Sequence, residues 1–241
     1  MPSLGTLIPP ARRSIRTRLL LLALLPLGIV LPLIMAALAY WGGDYFDQLL
    51  NTKVRSDLAV ANSYYERATE GVGRSVAGQA AANRVVRAVL TGHGRQTPEL
   101  AAILEETVSA RKLDFLRFID VDSGSRMAGE WPVVAAALAG SERTETEIFT
   151  AAQLAAIAPP LASRAATPLI ATPNAVPTTR SAEERGLVIH SAAPVLDASG
   201  KLLGVLEGGV LLNKNLDFID NLNAVVYPDG TLPLGSAGTA T

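Results

Sequence analysis

Five side chains in this 241-residue sequence have the chemistry to recognise a small anion. Arg117 sits inside an apolar run, LDFLRFID, where a cation needs a partner if buried; Glu207 or a bound anion would serve. Arg180 and Arg185 flank the entry to a later apolar stretch, and an arginine fork matches a carboxylate with two parallel hydrogen bonds. His190 stands within GLVIHSAAPVL, as either a satisfied structural histidine or a donor whose charge changes near neutral pH. Trp131 offers an apolar wall. Together they point to a small carboxylate, an organic acid or an amino acid, as ligand.

Other chemistries find little support. There is no cysteine, hence no disulfide framework, thiol nucleophile or thiolate metal site, and two histidines do not make a histidine-rich metal site. No nucleophile–base pair or metal cluster emerges, so no catalytic residue, metal or cofactor is assigned and the chain is not read as an enzyme. GVGRSVAG (71–78) has spaced glycines, but it lies in a helical pattern with no preceding strand and no lysine. DVDSG (120–124) begins like a calcium loop, yet Gly124 falls where a third oxygen ligand belongs and Trp131 takes the twelfth position; a turn is the expectation.

The elements that must position these residues start with an apolar run. From Leu19 to Trp41 there are 23 residues without a charge, enough as a helix to cross a bilayer core of about 30 Å. Arg12, Arg13, Arg16 and Arg18 precede it with no acidic residue, which keeps residues 1–18 cytoplasmic and sends the chain beyond the span to the outside. A cleaved signal peptide is the rival, with Ala37-Leu38-Ala39 as its site, although signal cores run only about 7–15 residues. Both readings export residues 44–241. Overall charge is −1, and without the four arginines the exported part is acidic, which argues against nucleic acid as partner.

Beyond the span, Phe46, Leu50, Val54, Leu58, Ala61, Tyr65, Ala68, Val72 and Val76 recur at helical spacing. The spacing predicts a helix over 44–90, bent near Gly71, Gly73 or Gly78, whose stripe is the seam of a parallel homodimer, a packing face for its own domain, or both. A helix capped by Thr97 follows, then a strand at 115–119, a helix over 131–138, a strand in TETEIF and a helix in TAAQLAAI. Residues 158–179 hold five prolines and read as a long irregular cover. Two strands then flank DASG, expected to close as a type I turn with Gly200 as bulge and Asp197 paired with Lys201. That register sets Ser191 opposite Glu207 and His190 opposite Gly208. An amphipathic helix carries Leu216, Ile219, Leu222 and Val226, and residues 228–241 form a low-complexity tail.

The basic start, single span, long helix, D-x-D-S-G segment and the hairpin APVLDASGKLLGVLEGGVLLN together resemble the double Cache sensor regions of bacterial two-component histidine kinases and chemoreceptors, over roughly residues 12–227. The resemblance implies an α+β fold: a transmembrane helix, a long exported helix, then a PAS-like antiparallel sheet lobe (91–227) flanked by helices. It implies a periplasmic sensor, anchored in the inner membrane by a single pass, that holds a small ligand between sheet and cover and signals through the long helix. A second lobe, a second span and signalling modules normally follow; here the sequence reaches Thr241 about where a second lobe would begin. No phosphoacceptor box or ATP lid is found, so catalysis does not carry over. An exported interaction scaffold is the rival function.

Overall fold

A computed structural model of the chain describes residues 15–170, 172, 173, 175, 176 and 178–228. Arg12, Arg13 and the tail from Asp229 lie outside them, as do the side chains of Arg16 and Arg18. The chain divides into two units, Met1–Leu58 and Ala59–Thr241. One helix, α1 (Ile15–Ala80), contains the apolar run, with Pro26 and Pro32 inside it. Among the described residues no helix is long and apolar enough to cross a membrane. Three positions of the expected span, Leu21, Ala39 and Trp41, have side chains outside the described set.

In the second unit α1 continues unbroken through Gly71, Gly73 and Gly78 and stops at Ala80, so the expected continuation to Leu90 is corrected. The break falls at Ala82, whose backbone is extended, and α2 (Asn83–Thr91) starts afresh. A separate helix lets Val85, Ala88 and Val89 join Val72, Val76 and Ala80 in one buried cluster. The next helix, α3 (Pro98–Arg111), opens as expected, with Pro98 in its first turn and the Thr97 hydroxyl accepting from the Leu100 N–H at 3.2 Å.

Four antiparallel strands make the main sheet: β1 (Phe115–Asp120), β2 (Arg143–Phe149), β5 (Gly186–Leu196) and β6 (Leu202–Leu211), in the order β1-β6-β5-β2. A two-residue pairing, β3 (Thr167–Pro168) with β4 (Ala182–Glu183), stands apart. DVDSG is not a turn but the start of α4 (Val121–Met127), because the Asp120 carboxylate accepts from the Ser123 N–H at 2.9 Å and caps a helix. The helices α5 (Pro132–Leu138) and α6 (Ala151–Ile157) fall where expected, α6 opening with a Thr150/Gln153 capping box. The proline-rich segment is less irregular than its composition implies. Pro159 and Pro160 open α7 (Pro159–Ala165), which buries Leu161 and Ala165 on one side, four residues apart. The last helix is α8 (Leu216–Val226), with Asn215 as cap.

The sheet separates two cores. One face packs α1, α2 and α3 against Leu116, Phe118, Ile189, Ala193 and Leu206; the other packs the α4–α7 cover against Phe115, Ile119, Val188, Ala192 and Val205. Part of the contact between α1 and the sheet is polar. The Tyr65 hydroxyl meets that of Thr146, Thr144 donates to the Ser191 hydroxyl at 2.8 Å, and a Cβ on Gly73 would lie 2.6 Å from Thr144 Oγ1.

The DASG hairpin closes as expected, with Gly200 N–H donating to Asp197 O at 2.9 Å, Asp197 N–H to Lys201 O at 3.0 Å, and Gly200 at φ +83°. Beyond it the expected register fails by one residue. Leu196 pairs with Leu202 but Val195 with Gly204, so Leu203 is extra and β6 bulges. Ser191 therefore faces Gly208, Ala192 faces Glu207, and His190 faces Gly209. A one-residue shift exchanges the faces of everything beyond it, and so it brings Glu207 to the same face as His190.

Candidate functional site

On the cover-side face, four charged or titratable side chains from four strands meet. Arg117 in β1 lies directly opposite Glu207 in β6, His190 in β5 sits one diagonal away, and Glu147 in β2 reaches His190 from the far side. Arg117 Nε donates to Glu207 Oε2 at 2.6 Å. Glu207 Oε1 lies 2.7 Å from His190 Nε2, and Glu147 Oε2 makes a short contact with His190 Nδ1. His190 and Glu207 are wholly buried, whereas the Arg117 side chain keeps 32% of its exposure.

Aromatic rings close over the histidine. Trp131 and Phe149 stack at 4.2 Å, and both meet His190 edge-on, at 5.2 and 5.0 Å between ring centres. Phe115 approaches at 6.2 Å. Room for its ring comes from Gly209, opposite His190, where a Cβ would lie 2.9 Å from Phe115 Cε1 and 2.6 Å from the Ile189 carbonyl. The space between sheet and cover at this point is thus filled by protein.

Burial alone would lower the His190 pKa, but hydrogen bonds and charge from Glu147 and Glu207 outweigh it and the net shift is upward. Burial pushes Glu207 up, and His190 and Arg117 more than offset this, holding it below the ordinary glutamate value. Among the described residues, no group of three or more His, Cys, Asp or Glu could hold a metal ion.

Of the residues expected to gather around a ligand, the structure brings His190 and Trp131 into contact and joins Arg117 to them through Glu207. Arg180 and Arg185 are elsewhere, on either side of Glu183. Arg185 forks onto that carboxylate with Nε and a terminal nitrogen at 2.9 Å each, and Arg180 bonds it as well. Hydrogen bonds from Arg185 and then Arg180 hold the Glu183 carboxyl far below the usual carboxylate range. The two arginines line a cleft of about 710 Å³ with Thr150, Ala151, Ser181 and Glu184, a group that includes none of Arg117, Trp131 and His190.

Sequence reasoning missed Glu147 and Phe149. The signal was present in TETEIF, where Glu147 and Phe149 lie two apart and so share a face, but a strand pattern alone does not say which face meets the cover. It missed the Asp114–Arg164 pair too, bidentate at 2.7 and 2.5 Å, which ties α7 to the start of β1.

No family model matches the chain, and no curated protein matches it. Two solved structures of the periplasmic domain of Vibrio cholerae LuxQ are similar in part. One is 16% identical, covering 72% of this chain and 70% of that one at a TM-score of 0.41. The other, a selenomethionine form, is 13% identical, covering 71% and 69% at a TM-score of 0.43. Likeness at this level assigns neither a family nor a function.

Proposed function

We propose that the chain is the sensory input region of a membrane-anchored, Cache-like receptor of the two-component histidine kinase type, exported beyond Trp41 and signalling through α1. One observation carries the reading most of the way. The helix that contains the uncharged run Leu19–Trp41 is the helix that buries Val72, Val76 and Ala80 against the sheet, so anchor and sensory lobe share one element. On this reading a shift in the sheet would act on the part of α1 that packs against it. A chemoreceptor input domain would use the same parts.

The geometry favours the Arg180–Arg185 cleft over Arg117 as the place for a small carboxylate. Arg117 is committed to Glu207, whereas Arg180 and Arg185 are half-exposed and grip a carboxylate of the chain's own, Glu183. Glu183 stands in for the ligand: an incoming organic acid would take the Arg185 fork and release it. Full-length chain in membranes, screened against small organic acids and amino acids, should melt at higher temperature with a true ligand. Arg185→Ala should abolish that rise and Arg117→Ala, where it folds, should keep it. If no acid in the panel raises the melting temperature, direct carboxylate sensing is wrong.

The rival reading, an exported interaction scaffold, is favoured by the outward-facing Ile170 and Val176 on the proline-rich segment. It predicts no small-molecule shift at all, and loss of partner binding when both are changed to serine.

A further inference from the structure

We propose that the lobe carries a built proton-binding site, the His190 imidazole clamped between Glu147 and Glu207, and that the proton is itself a signal to which this domain responds. The proposal rests on the sensory reading only for the word signal; the proton site stands on the geometry alone.

With both glutamates ionised, the hydrogen bonds require a charged ring. Both ring nitrogens of His190 face carboxylate oxygens. A neutral imidazole has one N–H and one lone pair, so it can satisfy one carboxylate and must turn its lone pair on the other. Only the doubly protonated ring donates to both. Charge gives the same answer. With an imidazolium, Arg117 and His190 balance Glu147 and Glu207; with a neutral ring the cluster keeps an excess negative charge where Glu207 has no contact with water.

The surroundings leave His190 as the group that must answer. In β2, Glu145 lies opposite His190 and is held by Arg143 at 2.9 Å. From the cover, α5 and α6 present no titratable side chain. Asp122 and Arg126 of α4 are exposed, Glu130 is exposed and bonded to Gln153, and Arg164 of α7 is taken by Asp114. Burial opposes charging the ring, but the two carboxylates prevail and the shift is upward. For a group whose pKa rises on folding, the stabilisation is complete below the unfolded value, about 6.5, and disappears as pH climbs through the folded value. Alkalinisation therefore releases one of the clamps, β2 to β5 or β5 to β6, under the Trp131–Phe149 lid.

The chain's two histidines make the test clean. His93 has φ +52°, which asparagine tolerates, so His93→Asn leaves a single imidazole to follow. In this full-length variant, in membranes or micelles, ¹⁵N-histidine spectra should show both ring nitrogens protonated at neutral pH and a midpoint above about 6.5. The folding equilibrium should weaken about tenfold for each unit by which the folded midpoint exceeds the unfolded one, and only across that window. Glu147→Gln should lower the midpoint, and His190→Gln should remove the pH dependence there. A neutral ring at pH 7, or a midpoint at or below the unfolded value, overturns the proposal from the His93→Asn titration alone, whether or not the cluster variants fold. Failure of export or of carboxylate binding would leave this titration untouched, so the two readings fail separately.

Discussion

The most exposed member of the buried cluster is the best one to cut. Arg117→Ala leaves Glu207 buried without its cation and should destabilise the lobe by about 2–3 kcal/mol, below the roughly 3–5 of a fully buried pair because solvent already screens part of the guanidinium. Urea unfolding with an unchanged slope checks it. Gly209→Ala places a methyl against the Ile189 carbonyl and the Phe115 ring, two neighbours that cannot both retreat, and overpacking of this kind costs about 1–3 kcal/mol. On the acid side the sign reverses. Glu207, like Asp120, titrates below its ordinary value in the folded chain, so its contribution is present above the unfolded pKa of about 4 and is lost as pH falls through the folded one. The urea midpoint should drop in that range, and less steeply in Glu207→Gln.

At the scale of elements, the β6 bulge decides the site. Deleting Leu203 would remove the bulge yet leave Val195 opposite Gly204 and Ala192 opposite Glu207, so Glu207 would stay on the face of His190. The His190 midpoint in the ¹⁵N experiment should then be unchanged where the sheet survives, and a fall would show that Leu203 is not the looped-out residue. Thr97→Ala should cost about 1 kcal/mol, the usual value of a helix cap, with no change in that midpoint. The same bulge marks the limit of what could be read from the sequence. DASG carries its own turn chemistry, an aspartate to open and a glycine for positive φ, so the hairpin was legible. Nothing in KLLGVL says which leucine will be looped out, because that depends on how β6 fits both β5 and β1. The face of every residue beyond it was therefore set by tertiary packing. DVDSG failed for a related reason: an aspartate bonding the N–H three residues on opens a turn and a helix alike, and only burial of Gly124 beneath Leu138 chooses. Among the proline-rich residues, composition obscured Leu161 and Ala165, whose spacing of four was helical all along.

For the whole molecule, the prediction is topological. A reporter active only outside the cytoplasm, fused after Asp44, should be active, and the full chain should sediment with membranes. A soluble product beginning near Tyr40 would show instead that Ala37-Leu38-Ala39 is a cleavage site. On the sensory reading proposed above, motion of the lobe would reach α1 through its seam with the sheet. Interlocked leucines hold a helix in register like teeth, and moving it one notch means unpacking them all. Here part of the seam is polar: Gly73 leaves room for the Thr144 side chain, and the Tyr65 and Thr146 hydroxyls meet beside the Thr144–Ser191 pair of the sheet. Val72 and Val76 still press the helix to the sheet from the inner side. On the sensory reading, a displacement of α1 along its axis is the movement this seam would be expected to pass on.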